Sequence, residues 1–129
     1  MREIKFRIWN KKLNEMRFVE SIEFNSNFEP FFIIDHKHDS CYSDDFILMQ
    51  YTGIKIDNQD LYGHDIVQDF INNKCYEVIW DKYGGMWLFN PVGTEGEAID
   101  YYEFEDKASS GTIIVGNRYE NPELLEGEE

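Results

Sequence analysis

The stretch Leu48–Asp69, LMQYTGIKIDNQDLYGHDIVQD, decides how the rest of the chain is read. An apolar run from Phe46 to Met49 leads into Tyr51-Thr52-Gly53, and a polar connection follows at Asp57-Asn58. Gly63-His64-Asp65 then opens the alternating strand Ile66-Val67-Gln68. Gly, Asn and Asp supply turns at such points, while aromatic and β-branched residues between them fit a pleated surface.

Working outward, the pattern stays that of strands. Residues 2–9 alternate, with Ile4, Phe6 and Ile8 on one side and Lys5, Arg7 and Trp9 on the other, which predicts a half-buried strand with a basic outer face. Met16–Phe24 resumes the alternation after a polar turn and completes a hairpin. Phe31–Ile34 reads as a short strand buried on both faces, and Asp35–Asp45 as a mobile polar loop. Beyond Asp69, strands are expected at Cys75–Trp80, Met86–Phe89 and Thr112–Val115, with Ala98–Phe104 open between strand and one helical turn.

These signals predict a mainly β fold with little helix. Residues 51–120 have the cadence of a small SH3-like barrel, residues 1–50 form an N-terminal β-hairpin layer with its loop, and residues 121–129 an acidic tail expected to fray. All three are expected to make one compact unit. A chain of 129 residues with ten Phe, eight Tyr and three Trp can build its own core without a metal or disulfide.

The net charge is −14, from 26 acids and 12 bases. Residues 1–17 carry +4, while residues 18–94 and 95–129 carry −9 each. An acidic surface repels phosphate backbones and anionic lipids, which argues against direct nucleic-acid binding outside the amino-terminal segment. No apolar stretch reaches the length of a membrane span, and the charged start, MREIKFRIWNKK, is not a signal peptide. The expectation is a cytoplasmic protein whose Cys41 and Cys75 are reduced thiols.

Chemistry-bearing constellations are sparse. His36, His38 and Cys41 have the residue types of a metal site, but their spacing matches no zinc module and reads as a polar loop. His64 and Asp65 could be a base and its orienter, except that neighbouring strand residues point to opposite faces. No nucleophile, base and oxyanion set can be assembled, so neither enzymatic activity nor a cofactor or metal is expected. Acidic groups at Asp44-Asp45, Glu95/Glu97 and Glu103-Glu105-Asp106 could imitate duplex phosphates or simply solvate the surface. Tyr101 and Tyr102 could form an aromatic contact patch.

Arg2-Glu3-Ile4-Lys5-Phe6-Arg7 with Trp9, Leu48-Met49-Gln50-Tyr51-Thr52-Gly53 and Asp65-Ile66-Val67 follow one another in an order that resembles the YopX family of small phage and prophage proteins. It continues through Gly84-Gly85 with Leu88, and Val115-Gly116-Asn117 closing on Tyr119–Leu125. Gln59 stands where the family has a glycine, so a type I′ turn at the connection is not expected. The resemblance implies origin and fold and carries no catalytic residues.

Together these readings predict a non-enzymatic protein-interaction or assembly module with a host or phage protein partner. The contact residues would be Lys5, Arg7, Trp9, Tyr101 and Tyr102. The alternative is an acidic DNA mimic that inhibits a host nucleic-acid-binding enzyme. The charge asymmetry also predicts a homo-oligomer, basic amino-terminal segment to acidic carboxy-terminal region.

Overall fold

In the computed structural model, residues 3–70, 73–107 and 111–126 are described, residues 106 and 107 through their backbone only. The chain divides into two compact units, residues 1–51 and 52–129.

The first unit is an antiparallel sheet. Its strands are β1 (Phe6–Asn10), β2 (Glu15–Phe24), β3 (Pro30–Asp35), β4 (Ser40–Tyr42) and the first half of β5 (Phe46–Ile56). β1 lies between β2 and β5, with Arg7 opposite Phe18 on one side and opposite Met49 on the other. β3 and β4 continue the sheet beyond β2. Alternation puts Ile8, Ile33, Cys41 and Phe46 into one core, flanked by Val19, Ile22 and Leu48. A bulge between Val19 and Ser21 keeps both Val19 and Ile22 on that face, because one extra residue resets the period of two. Asp35–Asp45, expected as a mobile loop, instead holds a hairpin turn, β4 and a 3-10 turn at Ser43–Asp45. The Asp35 carboxylate closes that turn by accepting the N–H groups of Lys37 and Asp39 at 2.9 and 3.1 Å.

The second unit begins within β5, whose second half pairs with β6 (Gln59–Tyr62). The turn between them, Asp57-Asn58, has positive φ at both residues, +49° and +65°. That is the type I′ signature, formed here without glycine, because Asp and Asn tolerate the left-handed region. β7 (Asp65–Asp69), β8 (Lys74–Asp81), β9 (Met86–Val92), β10 (Ile99–Asp100) and β11 (Thr112–Asn117) make an antiparallel sheet in the order β10-β9-β8-β7-β11. Between β10 and β11 lies the helix α1 (Tyr101–Lys107), so the ambiguous segment is strand and then helix. Leu61, Val67, Tyr76, Val78, Phe89 and Phe104 form the core, with the rings of Phe89 and Phe104 stacked at 4.1 Å.

The SH3-like barrel expected for residues 51–120 is not closed. By hydrogen bonding β5 and β6 belong to one sheet and β7–β11 to the other, so the ladder does not close on itself. Residues 122–125 of the expected tail form a 3-10 turn, and residues 127–129 lie outside the described residues.

Candidate functional site

Alternation along β8 sends Tyr76, Val78 and Trp80 to the face that carries the core and Glu77 to the other. Glu77 is nonetheless only 2% exposed, so its charge must be met locally. Arg118, just past β11, does so with a two-pronged contact: Nε donates to Oε2 at 2.7 Å and Nη2 to Oε1 at 2.9 Å. His64, in the turn before β7, lies with Nδ1 3.0 Å from Oε2. An ionised carboxylate only accepts, so Nδ1 carries the proton. His64 has φ +68°, and that conformation lets its N–H donate to the Val78 carbonyl and its own carbonyl accept from the Arg118 N–H. Burial alone would raise the Glu77 pKa; the hydrogen bonds from His64 and Arg118 outweigh it and hold the carboxyl below its ordinary value. Both carboxylate oxygens therefore already accept from donors, and the cluster acts as a clasp between β8, the His64 turn and the end of β11.

The clasp continues into the closing turn. Asn117 Oδ1 accepts the N–H groups of Tyr119 and Glu120 at 3.0 and 2.8 Å, and Asn121 Oδ1 accepts the Asn117 N–H at 3.2 Å. A Cβ on Gly116 would meet the Asn121 side chain, with Cγ at 2.7 Å, so the close approach requires glycine there.

The core face of β8 and β9 runs on beyond the core. Trp80 and Trp87 are cross-strand partners, their rings edge to face at 5.0 Å, and Tyr101 lies 6.2 Å from Phe89 on the same side of β9. Trp87 is partly buried and its indole N–H has no acceptor among the described residues, while Trp80 is 52% exposed. Tyr83 at the hairpin tip and Tyr102 on α1 are almost fully exposed.

The first unit carries its own buried charge. Arg17 meets Asp35 at 3.1 Å, Asp39 at 2.9 Å and Glu15 at 2.7 Å, and Asp35 is 1% exposed. The residues of the histidine loop do not converge: His36 Nδ1 accepts the Phe18 N–H, His38 Nδ1 lies 3.3 Å from Glu20, and Cys41 is in the core. Among the described residues no three His, Cys, Asp or Glu side chains gather as a metal site would need. Burial, reinforced by the charge of Asp45, pushes the Cys41 thiol up, away from the reactive thiolate. Cys75, in β8, is half-buried. As alternation implies, Asp65 does not meet the His64 ring: it accepts the Tyr62 N–H at 2.8 Å, and Glu77 takes the imidazole.

Of the residues read as an interaction surface, Arg7 is buried, Lys5 and Trp9 half-buried, Tyr101 half-buried and Tyr102 exposed. The basic outer face is thus reduced: Arg7 is withdrawn from solvent, and Lys5 pairs with Glu3 at 2.8 Å. Glu77, Arg118, Arg17 and Trp80 were not singled out in the sequence. The available signal was a charged residue in mid-strand, as in Cys75-Tyr76-Glu77-Val78, but exposed strand faces look the same.

A family model described as YopX protein matches residues 5–126. The chain belongs to the YopX family. Two solved structures share the fold. Protein EF1440 from Enterococcus faecalis superposes with a TM-score of 0.74 at 20% identity, over 98% of this chain and 100% of that one. YopX from Bacillus subtilis superposes with a TM-score of 0.62 at 16% identity, over 97% and 98%. No curated protein matches the chain. At these identities the likeness concerns the YopX fold alone. No helix among the described residues is long and apolar enough to cross a membrane.

Proposed function

We propose that this YopX-family chain is a non-enzymatic protein-interaction or assembly module of phage or prophage origin, acting in the cytoplasm. The observation that carries the reading is the open part of the first unit's sheet face opposite its core, along β2, β3 and β4. There Phe18 is 52% and Tyr42 61% exposed, and the Tyr42 ring lies 4.9 Å from that of Phe32. Large aromatic side chains exposed on a sheet face are characteristic of contact surfaces. The test is affinity purification of the tagged chain from lysogenic or infected cells, beside a Phe18→Ser/Tyr42→Ser variant checked for folding by circular dichroism. The expected result is a protein recovered in stoichiometric amount with the wild type and lost with the variant. A small metabolite co-purifying instead, with no protein, would sink the reading. A second copy of the chain is one such partner, read by light scattering at low and high salt.

A second reading, the acidic DNA mimic, is favoured by the charge of the second unit. Residues 52–129 hold 17 acids against five bases, whereas residues 1–51 hold nine against seven. It requires salt-sensitive competition with DNA for a host enzyme, and a competition assay showing none removes it.

A further inference from the structure

We propose that the aromatic ledge built by Trp80, Trp87 and Tyr101 docks a basic, apolar polypeptide segment. This rests on the interaction-module reading and names the chemistry of the partner at a second surface. Trp80 belongs to the strand face that buries Tyr76 and Val78, yet it projects past the core with half its surface in water. Its ring packs edge to face against Trp87, a contact that restrains it. Tyr101 extends the row beside Phe89. Trp and Tyr restrained in this way lose little entropy on contact and dominate interface energetics.

Charge selects the occupant. By strand alternation Asp81 and Asp100 lie away from the ledge: Asp81 accepts the Tyr83 N–H at 3.1 Å within the hairpin, and Asp100 caps α1 by accepting the Glu103 N–H at 2.8 Å. Glu105 lies near enough to Tyr101 to add to the burial that pushes its phenol up. Lys82, in the same hairpin, is placed over the Tyr83 ring, 5.2 Å from its centre. The ledge sits in a unit of net charge −12. A second copy would bring the same negative field to a self-complementary contact, and a nucleic acid would be repelled. An Arg- or Lys-containing segment gains from both features, because a cation is attracted to an indole face as well as to the carboxylates. Its apolar residues would cover the remaining aromatic surface.

The experiment measures fluorescence anisotropy of a labelled peptide of alternating Arg and Leu, titrated with the full chain. A peptide of alternating Arg and Ser, equal in charge, is the control. The Arg/Leu peptide is expected to bind the more tightly, and Trp80→Ser to weaken it about tenfold, a loss of the size found for aromatic anchors. Trp80→Phe, which keeps an aromatic platform, should retain most of the binding and guards against a folding artefact. Glu105→Gln should weaken binding a few-fold, and added salt should reduce that difference. Equal binding of the two peptides, or an unchanged affinity in Trp80→Ser, overturns the proposal. The purification test of the open face of the first unit is separate. A partner lost with Phe18→Ser/Tyr42→Ser, while the Arg/Leu peptide fails, leaves the module reading standing and removes the ledge.

Discussion

The two units bury charge with opposite sign, and that difference is informative. In the first, a cation is central: Arg17 is enclosed by Asp35, Asp39 and Glu15. In the second, an anion is central: Glu77 is gripped by Arg118 and His64. A guanidinium cannot be neutralised in the accessible pH range, whereas a carboxylate can. The first unit should therefore depend on Arg17 wherever its carboxylate partners are ionised, and the second on the ionisation of Glu77. Their total charges differ too, −2 in the first and −12 in the second.

The largest effect expected is for Arg17→Met. It leaves the Asp35 carboxylate, already 1% exposed, without its guanidinium partner, and an uncompensated buried charge is among the costliest defects a mutation can create. Thermal unfolding should show the greatest fall in Tm of this set. A Tm equal to wild type would mean that Asp35 is satisfied by the Lys37 and Asp39 N–H groups alone.

Next comes the anion-centred cluster. Arg118→Met should cost about 2–3 kcal/mol at pH 7, below the full value for breaking a buried pair because the Arg118 side chain is 45% exposed and His64 remains. The pH dependence has a definite sign. Glu77 has a folded pKa below its unfolded value, so its contribution is complete above about pH 4.3, the ordinary glutamate value, and is lost as the pH falls through the folded value. Urea midpoints measured from neutral to acid pH should fall less steeply in Glu77→Gln than in the wild type. Parallel curves would show that other carboxylates dominate acid unfolding.

The smallest effect concerns the closing turn. Asn121→Ala should cost about 1 kcal/mol, the size of one lost side-chain hydrogen bond. Gly116→Ala should cost about 1–3 kcal/mol by overpacking against Asn121. In the double variant the second loss should shrink, since the added methyl no longer meets an amide. Strict additivity in a denaturant-based cycle would separate the glycine from the asparagine and leave the close approach without its reason.

The strands at 15–24, 65–69, 74–81 and 112–117 were legible because period-two alternation between turn residues survives in any β fold. The β4 hairpin was not, since Asp35, Lys37 and Asp39 have the composition of a loop until Asp35 is seen closing its turn. The open sheet was not legible either: barrel closure depends on which edges pair, and the local pattern is the same in both cases. The type I′ turn was missed because Asp57-Asn58 lacked glycine, although both residues accept positive φ when the strands on either side are paired.

The sequence by itself determined a mainly β chain, a strongly acidic balance and the YopX resemblance, because alternation, charge and short motifs are local properties. Only the tertiary structure decided that Arg7 and Arg17 are withdrawn from the basic segment, that Glu77 is clasped by residues 13 and 41 positions away, and that Trp80 projects past its core. Those outcomes depend on which surfaces each strand meets, and a side chain's burial is set by neighbours distant in the chain, which local periodicity does not encode.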